Sequence, residues 1–120
     1  MSGDGPWTPA RRPENLGEFF VERANAGQVE GLVALYEPDA VLALPTGEVA
    51  IGRVAIRQFY QQLLADRPTF ATGGQRPALI NCEVALTSTR LPGGGATAEI
   101  ARCQPDDAWL WTIDQPNVLA

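Results

Sequence analysis

Acidic side chains, tyrosines and cysteines are the groups in this sequence that could do chemistry. The 120 residues contain no histidine, and the nine basic residues are all arginines. Without histidine the chain cannot build a histidine metal site, a Ser–His–Asp triad or a Cys–His pair, and without lysine it cannot form a Schiff base. The sequence therefore predicts no metal site and no cofactor.

Two acids near the C-terminal end, Glu99 and Asp114, are the weak catalytic candidates. With Arg102 between them they loosely resemble the paired carboxylates and arginine that would suit epoxide hydrolysis. Glu99 and Arg102 are three residues apart, so on a strand they point to opposite faces, and a solvent-exposed ion pair is the favoured interpretation. Asp114 precedes Gln115-Pro116 at a predicted strand end, where an aspartate is more typical of a turn than of a catalytic base.

Aromatic side chains are the candidates for a ligand site. Tyr36 and Tyr60 lie within apolar stripes at helical spacing, which favours core residues first and ligand donors second. Trp109 and Trp111 alternate with Ile113 along a predicted strand, so the three share one face. The two tryptophans are either ligand platforms or residues of the core or of a dimer interface.

Helices position the tyrosines. Apolar spacing and capping signals predict three helices, over Asn15–Asn25, Gln28–Tyr36 and Arg53–Ala65. Asn15 and Glu18 form a start like a capping box, and Gly27 suits the left-handed position after the first helix. Pro38 is expected to end the second helix.

Strands fill the rest of the chain. Apolar runs, alternation and turn residues predict strands over Ala40–Leu44, Glu48–Ile51, Ala78–Arg90, Thr97–Gln104 and Trp109–Ile113. Helices first and an antiparallel sheet afterwards predict an α+β domain, with the helices on one side of the sheet. Residues 1–13 are rich in glycine, proline and charge and predict a flexible N-terminal arm that Trp7 anchors or leaves on the surface, and residues 14–120 predict a single domain.

The charge and the hydropathy of the sequence limit the kinds of partner and location that the protein can have. The net charge is −5 with no basic patch beyond Arg11-Arg12, which argues against nucleic-acid binding. No apolar run is long enough for a membrane span, and the first residues lack the apolar region of a secretory signal, so the sequence predicts a cytoplasmic protein. Cys82 and Cys103 are then expected to be free, buried thiols, since strand pairing would make them diagonal neighbours.

Four stretches carry a family resemblance: ANAGQVEGLVALYEPDAVL, the turn at Pro45–Gly47, GRVAIRQFY at Gly52–Tyr60, and RCQPDDAWLWTIDQP. In this order they resemble the nuclear transport factor 2-like superfamily, and within it the SnoaL-like and ketosteroid isomerase-like branch. The resemblance implies a cystatin-like cone, in which three N-terminal helices pack on a strongly curved antiparallel sheet around an apolar pocket. It also implies a homodimer that pairs through the sheet face.

The isomerase residues of that branch are missing here. The resemblance places the donor tyrosine at Phe20, the general base at Leu44, and the second donor near Ile100–Ala101, where Glu99 is the nearest acid. Tyr36 and Tyr60 match the supporting tyrosines of some of these isomerases. The resemblance thus implies a retained pocket without the isomerase chemistry.

Two classes of function follow, with a structural dimer module as a third. The favoured expectation is a protein that binds a small apolar ligand through Phe20, Tyr36, Leu44, Tyr60, Trp109 and Trp111. The alternative is a SnoaL-like enzyme of the isomerase, cyclase or dehydratase type, acting on a polycyclic or polyketide-like substrate through Glu99, Asp114 or a tyrosine. A buried Glu99 would favour the enzyme, because burial raises the pKa of a carboxyl group towards neutrality.

Overall fold

A computed structural model describes residues 7–119. Its helices are α1 (Glu14–Asn25), α2 (Val29–Val33) and α3 (Gly52–Leu63), and a 3₁₀ turn over Leu64–Asp66 follows α3. Its strands are β1 (Tyr36–Ala43), β2 (Val49–Ile51), β3 (Gly74–Gln75), β4 (Leu79–Asn81), β5 (Val84–Thr87), β6 (Thr89–Arg90), β7 (Ala98–Cys103) and β8 (Trp109–Gln115). The predicted α+β class with three N-terminal helices is confirmed.

Six strands form the main sheet, in the order β2-β1-β8-β7-β5-β4, and β3 pairs with β6 beside it. The pairings of the main sheet are antiparallel except that β1 runs parallel to β8. The expectation of a wholly antiparallel sheet is therefore wrong at one position. The long stretch of chain between β1 and β8 permits the parallel pairing, which a tight hairpin could not make.

The helices cover one face of this sheet and enclose the core. The largest fully buried side chains are Leu16 of α1, Leu32 of α2, Ile56 of α3, and Tyr36 and Leu42 of β1. Within residues 7–119, no helix is long and apolar enough to cross a membrane.

The second helix is shorter than predicted. It ends at Val33, and Tyr36 is the first residue of β1. Pro38 lies inside β1, where the pairing with β8 is irregular between Tyr36 and Val41, so its missing N–H breaks no regular ladder. At the end of α1, Gly27 has φ 69°, as the left-handed position requires.

The long strand predicted over Ala78–Arg90 is divided. A turn at Cys82, with φ 55°, separates β4 from β5. The Cys103 N–H donates to the Glu83 carbonyl at 2.7 Å, so Glu83 lies opposite Cys103. Both cysteines are free, but Cys82 is exposed and Cys103 is half-buried, so the expectation of buried thiols is wrong for Cys82.

The described part of the predicted arm, residues 7–13, is packed against the domain. Ala10 is 4% exposed, and its carbonyl accepts a hydrogen bond from the Trp109 N–H at 2.8 Å. The Trp7 ring lies over the guanidinium of Arg23 at 5.1 Å, a cation–π contact. The prediction of a loose arm does not hold for these residues, and the rest of it, residues 1–6, lies outside the described chain.

Candidate active site

A β-bulge turns Asp114 into the interior. Ile100 pairs with Ile113, but Ala101 pairs with Trp111, so Thr112 is an extra residue in β8. A single inserted residue reverses the alternation of a strand beyond it. Ile113, expected beside the tryptophans, is consequently 50% exposed, and Asp114 is 6% exposed on the inner face. The turn-forming role expected for Asp114 is therefore wrong.

Two tyrosine hydroxyls connect to the Asp114 carboxyl. The Tyr36 hydroxyl donates to Asp114 Oδ2 at 2.5 Å, and the Tyr36 and Tyr60 hydroxyl oxygens are 2.7 Å apart. Because Tyr36 has one proton and gives it to Asp114, the bond between the tyrosines is donated by Tyr60. The result is a directed chain from Tyr60 through Tyr36 to Asp114.

The secondary structure positions this chain. Tyr60 is on the buried side of α3, where Ile56 lies one turn earlier. Tyr36 begins β1, and the Arg53 guanidinium of α3 donates to its backbone carbonyl through both Nε and Nη2. One helix therefore supplies the second tyrosine and also fixes the first.

Glu99 carries a second buried carboxyl group beside Asp114. It is 6% exposed and pairs with Asp114 across β7 and β8. The Thr87 hydroxyl donates to Glu99 Oε1 at 2.6 Å, and the Trp111 Nε1–H donates to Thr87 Oγ1 at 3.2 Å. The surface ion pair expected for Glu99 is wrong: Arg102 does lie on the opposite face, as predicted, but its partner there is Glu37, at 3.3 Å.

Burial changes the protonation of this cluster. Burial, together with the charge of Glu99, raises the pKa of Asp114 from 3.8 to about 7, although the Tyr36 hydroxyl bond opposes the shift. Burial also raises the pKa of Glu99, against hydroxyl bonds from Thr87 and Thr97. Burial and the nearby Asp114 raise the pKa of both tyrosines well above the usual value, so they remain protonated donors.

The predicted ligand residues are mostly brought together. Phe20 lies 6.0 Å from the Tyr60 ring and 6.4 Å from the Trp111 ring, and Tyr36 lies 5.5 Å from Trp111. Leu44 is half-buried and packs against the core, two residues beyond Leu42, which pairs with Asp114. Phe20 and Leu44 thus contribute apolar surface to the interior, and neither side chain carries an acidic or hydroxyl group.

Trp109 lies apart from this group. It lines a separate cavity of about 10 Å³ with Trp7, Leu16 and Arg23. That volume holds about one water molecule. Of the two tryptophans, Trp111 is therefore the one beside Asp114.

A loop residue that the sequence analysis did not single out covers the aromatic cluster. The Phe70 ring packs edge-on against Phe20, with 5.8 Å between centroids. Asn25, the last residue of α1, accepts a bond from the Phe70 N–H at 2.7 Å and donates to the Phe70 carbonyl at 3.0 Å. Asn25 thus fixes the backbone of Phe70 beside the aromatic cluster.

Thr87 is the other residue of the candidate site that the sequence analysis did not single out. The apolar residues Val84 and Leu86, which alternate along this stretch, lie on the outer face of the sheet. The inner face of β5 instead carries Ala85 and Thr87. The signal in the sequence was the alternation of Ala85 with Thr87, which places a small apolar residue and a hydroxyl on the same face of the strand.

No group of three or more cysteine, aspartate or glutamate side chains among residues 7–119 is arranged to hold a metal ion. The site consists of two carboxyl groups, those of Asp114 and Glu99, and the hydroxyl groups bonded to them, next to a cluster of aromatic rings. Groups of these types can donate and accept protons.

A model of the SnoaL-like domain matches residues 18–101, more than half of the chain. The chain belongs to the SnoaL-like domain family. The matched part of this SnoaL-like domain contains Phe20, Tyr36, Tyr60 and Glu99, and Asp114 follows it. No curated protein matches the chain.

Solved structures share the fold of this SnoaL-like domain. One is a candidate calcium/calmodulin-dependent protein kinase type II association domain from Thiobacillus denitrificans, with a TM-score of 0.73, 13% identity and coverage of 92% of this chain and 95% of that one. A ketosteroid isomerase-like protein from Erwinia carotovora atroseptica has a TM-score of 0.68, 16% identity and coverage of 84% and 88%. A nuclear transport factor 2-like protein of unknown function from Shewanella oneidensis has a TM-score of 0.69, 17% identity and coverage of 84% and 92%. At these identities the likeness concerns the fold alone.

Proposed function

We propose that this SnoaL-like protein is an acid–base enzyme that acts on a polycyclic or polyketide-like substrate, with Asp114 as the group that exchanges a proton with it. The observation that carries the proposal is the buried Asp114 carboxyl group at the end of the Tyr60–Tyr36 hydroxyl chain. A group with a pKa of about 7 is present in both protonation states near neutral pH, so it can accept a proton and return it.

The tyrosines and the aromatic rings have separate roles in this proposal. Tyr36 donates to Oδ2, which fixes the carboxyl orientation and leaves Oδ1 as the oxygen that carries the proton. Phe20, Tyr60 and Trp111 provide the apolar surface against which a flat substrate packs. The absence of an acid at Leu44 does not count against this reaction, because Asp114 supplies the proton acceptor from another strand.

A carbon acid tests the proposal directly. 2-Tetralone, a bicyclic aromatic ketone, exchanges its α-hydrogens for deuterium when a base removes a proton and its conjugate acid returns a deuteron. The wild type is expected to accelerate this exchange in D₂O above the buffer rate, as measured by NMR, with a rate that rises with pH through about 7 as Asp114 ionises. Asp114→Asn is expected to lower the protein-catalysed rate by at least about 100-fold, the typical share of acid–base catalysis.

Asp39→Asn is the matched control, because Asp39 is an exposed aspartate on β1. It is expected to exchange at the wild-type rate. Exchange that is equally fast in the Asp114→Asn variant would overturn the assignment of Asp114.

The second candidate function is binding of an apolar ligand without chemistry. It is favoured by Phe20 and Leu44, which present no reacting group at the interior. Titration with 2-naphthol, followed by tryptophan fluorescence, distinguishes the two. Binding without 2-tetralone exchange supports the binding protein, and neither binding nor exchange supports a structural module.

A further inference from the structure

Glu99 and Asp114 are two buried carboxyl groups that face each other across neighbouring strands. They are direct partners in the antiparallel pairing of β7 with β8, and both lie on the inner face. The β-carbons of such partners are about 4.5–5.5 Å apart. Two carboxyl groups at this distance and out of water ionise in two separate steps, because the charge of the first opposes ionisation of the second.

Hydroxyl donors decide which of the two holds the charge. The Trp111 Nε1–H can only donate, so Thr87 Oγ1 accepts that bond and must direct its own proton to Glu99 Oε1. The Thr97 oxygen likewise accepts the Thr89 N–H at 3.0 Å, which leaves its proton for Glu99. Burial raises the pKa of Glu99, and the hydroxyl bonds from Thr87 and Thr97 oppose that rise by stabilising the carboxylate.

Fewer hydroxyl donors stabilise a negative charge on Asp114 than on Glu99. The hydroxyl donor of Asp114 is Tyr36, and Leu42 is its neighbour on β1. From other elements, Tyr60 of α3 lies near both carboxyl groups and stays protonated, and Phe20 of α1, which is apolar, lies 6.4 Å from the Trp111 ring. The charge that acts on Asp114 is that of Glu99, and it raises the pKa of Asp114.

We propose that Glu99 is a positioning residue: a carboxylate, held by Thr87 and Thr97, that ionises before Asp114 and whose charge then favours the protonated form of Asp114. Glu99 therefore carries the first charge of the pair, Asp114 carries the exchangeable proton, and the two roles do not exchange. Glu99 itself does not contact the substrate. This inference deepens the proposed function and rests on Asp114 as the proton carrier.

The test is a pH titration of the full chain by carbon-13 NMR of side-chain carboxyl groups, with Asp114 and Glu99 assigned from the spectra of Asp114→Asn and Glu99→Gln. In the wild type, Asp114 is expected to titrate near 7. In Glu99→Gln, which retains an acceptor for Thr87, the Asp114 midpoint is expected to fall by at least about one pH unit because the neighbouring charge is gone. Glu83→Gln removes a similar charge from the exposed β4–β5 turn and is expected to leave the midpoint unchanged.

A second variant tests the hydroxyl donors. Thr87→Val is nearly the same shape but cannot donate to Glu99, so the Glu99 midpoint is expected to rise. This result remains available if Glu99→Gln does not fold. An unchanged Asp114 midpoint in Glu99→Gln, or an unchanged Glu99 midpoint in Thr87→Val, would overturn the proposal.

The titration needs no substrate, so its failure is distinct from failure of the proposed function. If 2-tetralone exchange depends on Asp114 but the Asp114 midpoint is the same in Glu99→Gln as in the wild type, the enzyme proposal stands and the role proposed for Glu99 is wrong. If the midpoint shifts as expected and no exchange occurs, the role of Glu99 stands and the enzyme proposal falls.

Discussion

Asp114 illustrates what burial does to a single carboxyl group. Its side chain is removed from water and accepts one hydroxyl bond, from Tyr36. Desolvation penalises the charged form, so the proton is retained to a pH about three units above the usual midpoint. The same property that makes Asp114 a useful proton carrier makes it costly to ionise in the folded state.

Asp114→Asn is expected to show this cost as pH-dependent stability. The pKa of Asp114 is raised on folding, from 3.8 to about 7, so its contribution to stability is full below the unfolded value and is lost as the pH rises through 7. An amide cannot ionise. Relative to the wild type, the variant should therefore gain up to about 4 kcal/mol in unfolding free energy between pH 4 and pH 8.

Urea unfolding at the two pH values measures this gain. Asp39→Asn, which changes an exposed aspartate, should track the wild type at both. A difference between Asp114→Asn and the wild type that is the same at pH 4 and pH 8 would contradict the raised pKa.

Tyr36→Phe is expected to cost more stability than Tyr60→Phe. Loss of the Tyr36 hydroxyl leaves the buried Tyr60 hydroxyl without its acceptor, a penalty of about 1–3 kcal/mol. Loss of the Tyr60 hydroxyl leaves the Tyr36 bond to Asp114 in place and should cost about 0.5–1.5 kcal/mol. Urea unfolding of the two variants tests the order, and the reverse order would contradict the direction of the chain.

At the scale of elements, short irregularities place the site. The extra Thr112 in β8 turns Asp114 inward, and the irregular pairing of β1 with β8 between Tyr36 and Val41 accommodates Pro38. Loop residues then close the aromatic cluster, with Asn25 holding the backbone of Phe70. A regular sheet with the same residues would direct Asp114 to the outer face.

Asn25→Ala is expected to release the Phe70 segment. The variant loses the acceptor for the Phe70 N–H, so hydrogen exchange of that amide should accelerate by about tenfold, the equivalent of one hydrogen bond. Asn25→Asp keeps the Oδ1 acceptor and should exchange more slowly than Asn25→Ala. Exchange of the Phe70 amide that is as slow in Asn25→Ala as in the wild type would show that other contacts hold the segment.

At the scale of the whole molecule, the outer face of the sheet is apolar. Cross-strand partners form a continuous row across all six strands: Ile51, Val41, Ile113, Ile100, Leu86 and Leu79. Ile51, Ile113, Leu86 and Leu79 are exposed. A contiguous apolar surface of this kind is typical of an interface, and a row that crosses the sheet can pair with its own copy about a two-fold axis.

We expect a homodimer that buries this row. Wild-type protein at micromolar concentration should sediment as a dimer, and Leu86→Glu or Ile113→Glu should sediment as a monomer. Val54→Glu changes an exposed apolar residue of α3, away from the sheet face, and should remain dimeric. A monomeric wild type would contradict the prediction, and a cytoplasmic location stays a prediction beside it.

The sequence by itself determined the α+β class, the family and most element positions, because helical spacing, caps and Pro–Gly turns are local signals. It also brought together Phe20, Tyr36, Tyr60 and Trp111 through the family resemblance. Only the tertiary structure decided that Asp114 and Glu99 are buried partners. Alternation along a strand cannot reveal a one-residue bulge such as Thr112, and strand pairing, which sets the neighbours of each side chain, depends on residues far apart in the chain.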